Sequence, residues 1–324
     1  MPRRDIVVIG ASTGGVQALR VLAAGLPADF AAAVCVVLHI GAHESTLPAL
    51  LEAVGPLPAA HASSGHALRP RRILVAPPDH HLLLQGEMVV LTRGPKEHHT
   101  RPAVDPLFRS AALSLGPRVI GVLLTGSLAD GAAGLQAIKE CGGLVVVQDP
   151  LDAEEPGMPG AALQAVEVDH CMPLRSIAPL LVELVGQAAP PGAAAPPHLV
   201  HEHLASLGGE HGMDELQRVA APSTLVCPDC QGTLWEISGS RPPRYRCHTG
   251  HGFSLRSLAA VQQEATENAL WSAVRALQEK EVLLRRIAAL DRSAGDDAHA
   301  QQAEDEASTL GEQAQRLRKL LEEV

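Results

Sequence analysis

The chain has 324 residues, of which 46% are hydrophobic but only 2% aromatic, and a formal net charge of -10. That length allows one large domain or two, with a core built from Ala, Val, Leu and Ile. The acidic balance excludes nucleic acid as a main partner, because phosphate binding needs a concentrated basic surface. No apolar run approaches the ~18 residues of a membrane span, and the charged first five residues carry no signal-peptide pattern, so a cytoplasmic protein is expected.

Residues 6–9 predict a short strand, 16–24 a helix after a glycine turn, 33–40 a second strand and 46–54 a helix. Residues 72–76 and 87–92 read as strands, 106–115 as a helix, and 119–124 and 144–148 as strands flanking a helix at 131–141. Strands without polar alternation are buried on both faces, and alternating strands and helices build a mostly parallel sheet. The expected fold over residues 1–187 is therefore α/β, three layers with helices on both faces. Cys35, Cys141 and Cys171 lie in or beside apolar runs and are expected as buried thiols. After Gln187, the residues to 197 are Ala, Pro and Gly only. Residues 188–221, with His198, His201, His203 and His211, therefore read as a flexible, solvated linker. Residues 222–254 change texture to Cys, Pro, Gly and Arg, and 255–324 to a helical tail. In the tail, Ala307, Leu310, Ala314, Leu317, Leu321 and Val324 form a heptad seam, and Leu270, Val274, Leu277, Leu284 and Ile287 a similar stripe. A turn at 293–297 between them predicts an antiparallel helix pair, though a helix packed on its own domain would carry the same stripes.

The first strand runs into Gly10-Ala11-Ser12-Thr13-Gly14, a G-x-S-x-G turn. Its glycines let the chain lift the Ser12 hydroxyl clear, beside the free N–H groups of a helix start. A dinucleotide fold also has a glycine-rich turn here, but it needs an acid at the end of the second strand. This chain has Leu38-His39-Ile40-Gly41 there, right for a general base. A third strand runs into Thr125-Gly126-Ser127-Leu128-Ala129-Asp130-Gly131. Asp130 can orient an imidazole, and it is also well placed to cap the helix that follows. Ser12, His39 and Asp130 are the candidate nucleophile, base and acid of a serine hydrolase.

These segments resemble the catalytic domain of the chemotaxis protein-glutamate methylesterases, the CheB family. The resemblance is carried by IGASTGG at 9–15, the His39 loop, RPAVDPLF at 101–108, LLTGSLADGAAGL at 123–135 and GMP at 157–159. It implies hydrolysis of glutamyl methyl esters, with possible glutamine deamidation, on a chemoreceptor-like partner, without a cofactor for catalysis. The family's triad falls on Ser12, His39 and Asp130, and the backbone N–H groups of Thr13 and Ser127 fall where its oxyanion hole lies. The family usually has Met where Ser127 stands, Gln-His-Met-Pro over 38–41 and Arg where Gly160 stands. It also usually carries an N-terminal receiver domain, so a receiver-less member, without phosphorelay control of that kind, is expected here. The altered positions keep a second reading open, a regulatory scaffold with an idle active site.

Cys227-x-x-Cys230 precedes Cys247-x-x-x-His251 at the spacing of two zinc knuckles. Three thiolates and an imidazole select tetrahedral zinc, with no open position, so a structural ion in a zinc-ribbon-like module is expected. His248 is the alternative fourth ligand. This extension also resembles one found on receiver-less relatives, and it suggests a docking role toward a methyltransferase or other signalling protein.

Overall fold

Apolar runs that end in glycine turns become the central strands of a seven-stranded sheet. A computed structural model describes residues 2–192 and 194–322. In chain order the elements are β1 (Ile6–Ala11), α1 (Gly15–Gly25), β2 (Ala33–Leu38), α2 (Leu47–Glu52), β3 (Ala59–His61) and β4 (Arg72–Val75). A hairpin of β5 (His81–Gln85) and β6 (Met88–Thr92) follows, then α3 (Val104–Leu115), β7 (Val119–Leu123), α4 (Ala132–Glu140) and β8 (Leu144–Gln148). The sheet is completed through α5 (Gly157–Ala165), β9 (His170–Met172) and α6 (Leu174–Leu184). Its strand order is β3-β4-β2-β1-β7-β8-β9, parallel throughout. Every residue of β1, β2 and β7 is buried, as expected for strands covered on both faces. One face packs on α1, α2 and α6 through Leu19, Leu22, Leu51 and Leu181. The other packs on α3, α4 and α5 through Leu107, Phe108, Leu135, Ile138 and Met158. Each such side chain stabilises the fold by roughly 1.5–3 kcal/mol. The chain winds outward from β1 in both directions, so the switch in topology lies between β1 and β7, where ligand sites of such sheets form.

Residues 188–221 differ from the flexible linker expected of them. Helices α7 (Pro197–Leu207) and α8 (Gly212–Gln217) form there, and Leu199 joins the core on the α3 side of the sheet. The reason is visible in what α7 buries: Leu199, Glu202, Ala205 and Ser206 share its inner face. A buried Glu and Ser carry no apolar period, so the segment looks like solvated chain. Of its histidines, His201 Nδ1 pairs with Glu215 at 2.5 Å and His198 with Glu140 at 2.9 Å. His203 is pushed down to about 4, by burial and then by Arg109. Strands β10 (Ala220–Val226), β11 (Thr233–Ile237), β12 (Arg244–Cys247) and β13 (Gly252–Ser254) make an antiparallel sheet around Leu234, Tyr245 and Phe253.

This sheet and the parallel sheet belong to one compact unit ending at Leu258. Two buried acids join them. Glu97 accepts from Arg109 Nη2 at 2.5 Å and from Arg246 Nη1 and Nη2 at 3.2 and 3.1 Å. Glu202 accepts from Arg244 Nη1 and, at 3.0 Å, from Nη2. Burial opposes both negative charges, but the arginines overcome it, holding Glu97 well below the carboxylate range and Glu202 at about 2.

The second unit, residues 259–324, is helical by itself: α9 (Leu255–Ser293) continues into it, and α10 (Asp297–Glu322) returns after a turn at Gly295, whose φ is 82°. Ala307, Leu310 and Ala314 are buried as the heptad predicts, and Val324 lies outside the described residues. On α9 the stripe is shifted: Val274 and Ala288 are buried, whereas Ile287 is 46% exposed. A heptad frame running through 270, 274, 277, 281, 284 and 288 selects Ala288, one place beyond the larger residue. Among the other cysteines, Cys35 is buried and Cys141 half-buried, but Cys171, expected buried, is exposed because β9 is an edge strand.

Candidate active site

Three adjacent strands, β2, β1 and β7, deliver the three expected side chains at their carboxyl ends. Ser12 follows β1, with its N–H donating to Thr125 O at 3.0 Å and Gly15 N–H donating back to Ser12 O at 2.7 Å. Gly14 has φ 74°, and a Cβ there would fall 2.8 Å from Glu154. Gly126 allows the third loop to approach the nucleophile, since a Cβ on it would lie 2.7 Å from Ser12 Cβ and 2.2 Å from Met158 Sδ.

His39 follows β2, tied by its N–H to Ala11 O at 3.2 Å. Its Nδ1 lies 3.1 Å from Ser12 Oγ and its Nε2 2.7 Å from Asp130 Oδ2. The carboxylate keeps the proton on Nε2, so Nδ1 offers its lone pair to the serine hydroxyl. The His39 side chain is 18% exposed and that of Asp130 2%, so the imidazole opens to solvent and the carboxylate does not.

Asp130 accepts four N–H groups. Oδ2 takes Val104 N–H at 2.6 Å and His39; Oδ1 takes Asp105 N–H at 2.9 Å and Gly131 N–H at 2.8 Å. It therefore caps α3, on the same face of the sheet as α4, rather than the helix that follows it. Burial pushes its pKa up, but His98, His39 and the backbone donors outweigh it and bring it to about 2. His98, which lies in no sequence motif, and Asp105, which lies in RPAVDPLF without a role given to it, lie against it: His98 Nε2 is 2.9 Å from Asp105 Oδ2 and 3.6 Å from Asp130 Oδ1.

Thr13 and Ser127 flank the serine, their hydroxyl oxygens 3.4 Å apart. Both residues are exposed, and among the described residues neither backbone N–H has a protein acceptor. The arrangement can deprotonate a hydroxyl, attack a carbonyl and receive the resulting negative charge.

In the antiparallel sheet of the same unit, Cys227, Cys230, Cys247 and His251 come together, with ligand atoms within 4.8 Å of one another. Cys230 Sγ lies 3.6 Å from Cys247 Sγ, and His251 Nδ1 is 3.8 Å from Cys227 Sγ and 3.5 Å from Cys247 Sγ. These separations match the edges, about 3.5–3.8 Å, of a tetrahedron drawn around zinc with Zn–S near 2.3 Å and Zn–N near 2.0 Å. The cluster can hold a metal ion. His248 is turned aside, its Nε2 3.4 Å from Thr249 Oγ1.

A family model described as CheB methylesterase matches residues 7–181. A Leptospira interrogans protein named as a protein-glutamate methylesterase/protein-glutamine glutaminase is 37% identical over 182 residues, 56% of this chain and 94% of that protein. An Anaeromyxobacter dehalogenans protein of the same description is 42% identical over 183 residues, 56% of this chain but 54% of its own length. The chain thus spans about half of some curated relatives and nearly all of others. The crystal structure of the Thermotoga maritima CheB methylesterase catalytic domain superposes with a TM-score of 0.54 at 33% identity, covering 57% of this chain and 100% of that one.

Proposed function

Because the chain belongs to the CheB methylesterase family, we propose that it hydrolyses glutamyl methyl esters on a chemoreceptor-like protein, with Ser12 as nucleophile, His39 as base and Asp130 as the acid that orients it. The observation that carries this reading is the continuous hydrogen-bonded line from Ser12 Oγ through the His39 ring to a buried carboxylate. Ser12 Oγ attacks the ester carbonyl as its proton passes to His39 Nδ1. Negative charge builds on the carbonyl oxygen, toward the Thr13 and Ser127 N–H groups. Collapse expels methoxide, which leaves as methanol with the proton from His39. A water molecule, deprotonated by His39, then cleaves the glutamyl-serine ester and frees Ser12. The same steps with ammonia as the leaving group convert a glutamine side chain to glutamate.

Cys227, Cys230, Cys247 and His251 would hold a structural zinc ion, which supplies folding energy to β10–β13 and no catalytic step. Four thiol-and-imidazole ligands need reduced cysteines, which fits a cytoplasmic location. No helix among the described residues is long and apolar enough to cross a membrane. The C-terminal module that holds the zinc ligands would dock a signalling partner, such as a methyltransferase. The test is methanol release from a methylated receptor by the purified chain. Wild type should release it and Ser12→Ala should not; equal release by both would refute the nucleophile, and none from wild type would favour a scaffold.

A further inference from the structure

Asp130 presents Oδ2 to His39, and its other oxygen lies 3.6 Å from His98 Nε2. His98 Nε2 lies 2.9 Å from Asp105 Oδ2, while Gly134 N–H donates to Asp105 Oδ1 at 2.7 Å. Burial and the neighbouring Asp130 push the Asp105 carboxyl up, and His98 opposes them. The other ring nitrogen of His98, Nδ1, lies 3.0 Å from Ser257 Oγ. That hydroxyl donates its one proton to Ser254 O at 3.1 Å and accepts Ser254 N–H at 2.9 Å. Ser254 Oγ lies 3.1 Å from the same hydroxyl, and Ser254 N–H points at His98 Nδ1 at 3.4 Å. With Nε2 against both Asp105 and Asp130, His98 is placed to carry the balancing positive charge. Burial pushes the ring down, but Asp130, Asp105 and Glu97 raise it to about 9.

Two carboxylates this close in a buried site do not both stay ionised without a cation between them. Arg109 and Arg244 act on Asp105 from a distance, but among the described residues no Lys or Arg ion-pairs with Asp105 or Asp130, and His98 is the cation that contacts both. The same three residues do not form a metal site, because each Asp130 oxygen already accepts two N–H groups.

The antiparallel module places His98. Its N–H donates to Gly252 O at 2.7 Å, and Gly252 N–H donates to Lys96 O at 3.2 Å. His98 and His99 both sit in the left-handed region, φ 53° and 62°, which residues with side chains adopt rarely unless contacts hold them there. Ser257 lies in the first turn of α9, within the same unit as the triad.

We propose that His98, held by Ser257, is a positioning residue for the esterase. It keeps Asp130 ionised and turned toward His39, so that the module carrying residues 252–257 completes the catalytic site. This rests on the triad reading above.

The experiment follows Ser12 labelling by a fluorophosphonate probe, on the full chain, from about pH 5 to pH 9. The probe needs no receptor. Wild type should label and Ser12→Ala should not. His98→Gln should lower the labelling rate at neutral pH about tenfold or more, and move the acid limb up by about one pH unit. The direction follows because the uncompensated acid pair takes up a proton and His39 then loses its ionised partner. Ser257→Ala should move both in the same direction by less. Asp105→Asn combined with His98→Gln removes one carboxylate with the cation and should return the acid limb toward wild type, which a merely structural role would not do. His98→Gln that melts as a folded protein, yet labels at the wild-type rate with an unmoved acid limb, would overturn the proposal while leaving the triad intact. If that variant does not fold, Ser257→Ala decides by the same criterion. A wild type unlabelled at Ser12 would remove the triad reading and this proposal with it.

Discussion

Asp130→Asn puts the site under the most direct strain, and its cost can be worked from four hydrogen bonds. Each carboxylate oxygen accepts two N–H groups, from Val104 and His39 on Oδ2 and from Asp105 and Gly131 on Oδ1. An amide keeps one oxygen and replaces the other with a donor. With its NH2 toward Asp105 and Gly131, two fixed backbone donors lose their acceptor, at about 1–3 kcal/mol each. With its NH2 toward His39, one backbone donor is lost and the imidazole proton is driven to Nδ1. Ser12 then faces a donor where it needs an acceptor, and no carboxylate stabilises the imidazolium. Neutralising a triad acid costs about 10⁴-fold in kcat in the serine protease template, equivalent to ~5.5 kcal/mol of barrier. The expected result is a loss of 10³–10⁴-fold in kcat for methanol release, on the order of that template, with KM little changed and stability lowered by about 2–6 kcal/mol. Steady-state kinetics and a denaturant titration measure the two parts. A folded Asp130→Asn enzyme within tenfold of wild type would refute both the assignment of the acid and the hydrogen-bond reasoning.

Arg246→Met removes two of the donors on buried Glu97, and breaking such a pair should destabilise the protein by about 3–5 kcal/mol, read as a lower urea midpoint; a change under about 1 kcal/mol would show that Arg109 suffices alone. Stability should form a plateau in pH. Glu202 has a lowered folded pKa, so its contribution, about 3 kcal/mol, is complete above its ordinary value of 4.5 and lost as pH falls toward 2. His98 has a raised one, so its contribution is complete below 6.5 and lost as pH rises through about 9. Denaturation that shows no loss on either side would contradict these ion pairs. Purified protein should contain one zinc per chain, and chelation should expose residues 222–254 to protease first; zinc well below one per chain would remove that assignment. Gly160→Arg places a side chain where an added Cβ meets nothing within 4 Å, inside α5. It should raise stability by about 0.5–1 kcal/mol and lower KM for an acidic receptor segment, whereas a lower melting temperature would show that the space is not free.

What could be read from the amino-acid order alone was whatever short-range chemistry specifies. The Ser12 turn needs glycines around it, β1, β2 and β7 are apolar without alternation because both faces are covered, and Cys227, Cys230, Cys247 and His251 pair within two short knuckles. Apolar periodicity reports burial only where apolar residues do the burying. It therefore passed over α7, whose inner face includes Glu202 and Ser206, and it favoured Ile287 over the smaller Ala288 on α9. Glu97, His98, Asp105, Arg109, Arg244 and Arg246 look like ordinary surface charges in the sequence. Their burial depends on partners far along the chain, Glu97 on Arg246 149 residues away and His98 on Ser257 159 residues away. A charge enters a protein interior only together with the opposite charge that balances it, and only the tertiary structure brings the two within reach.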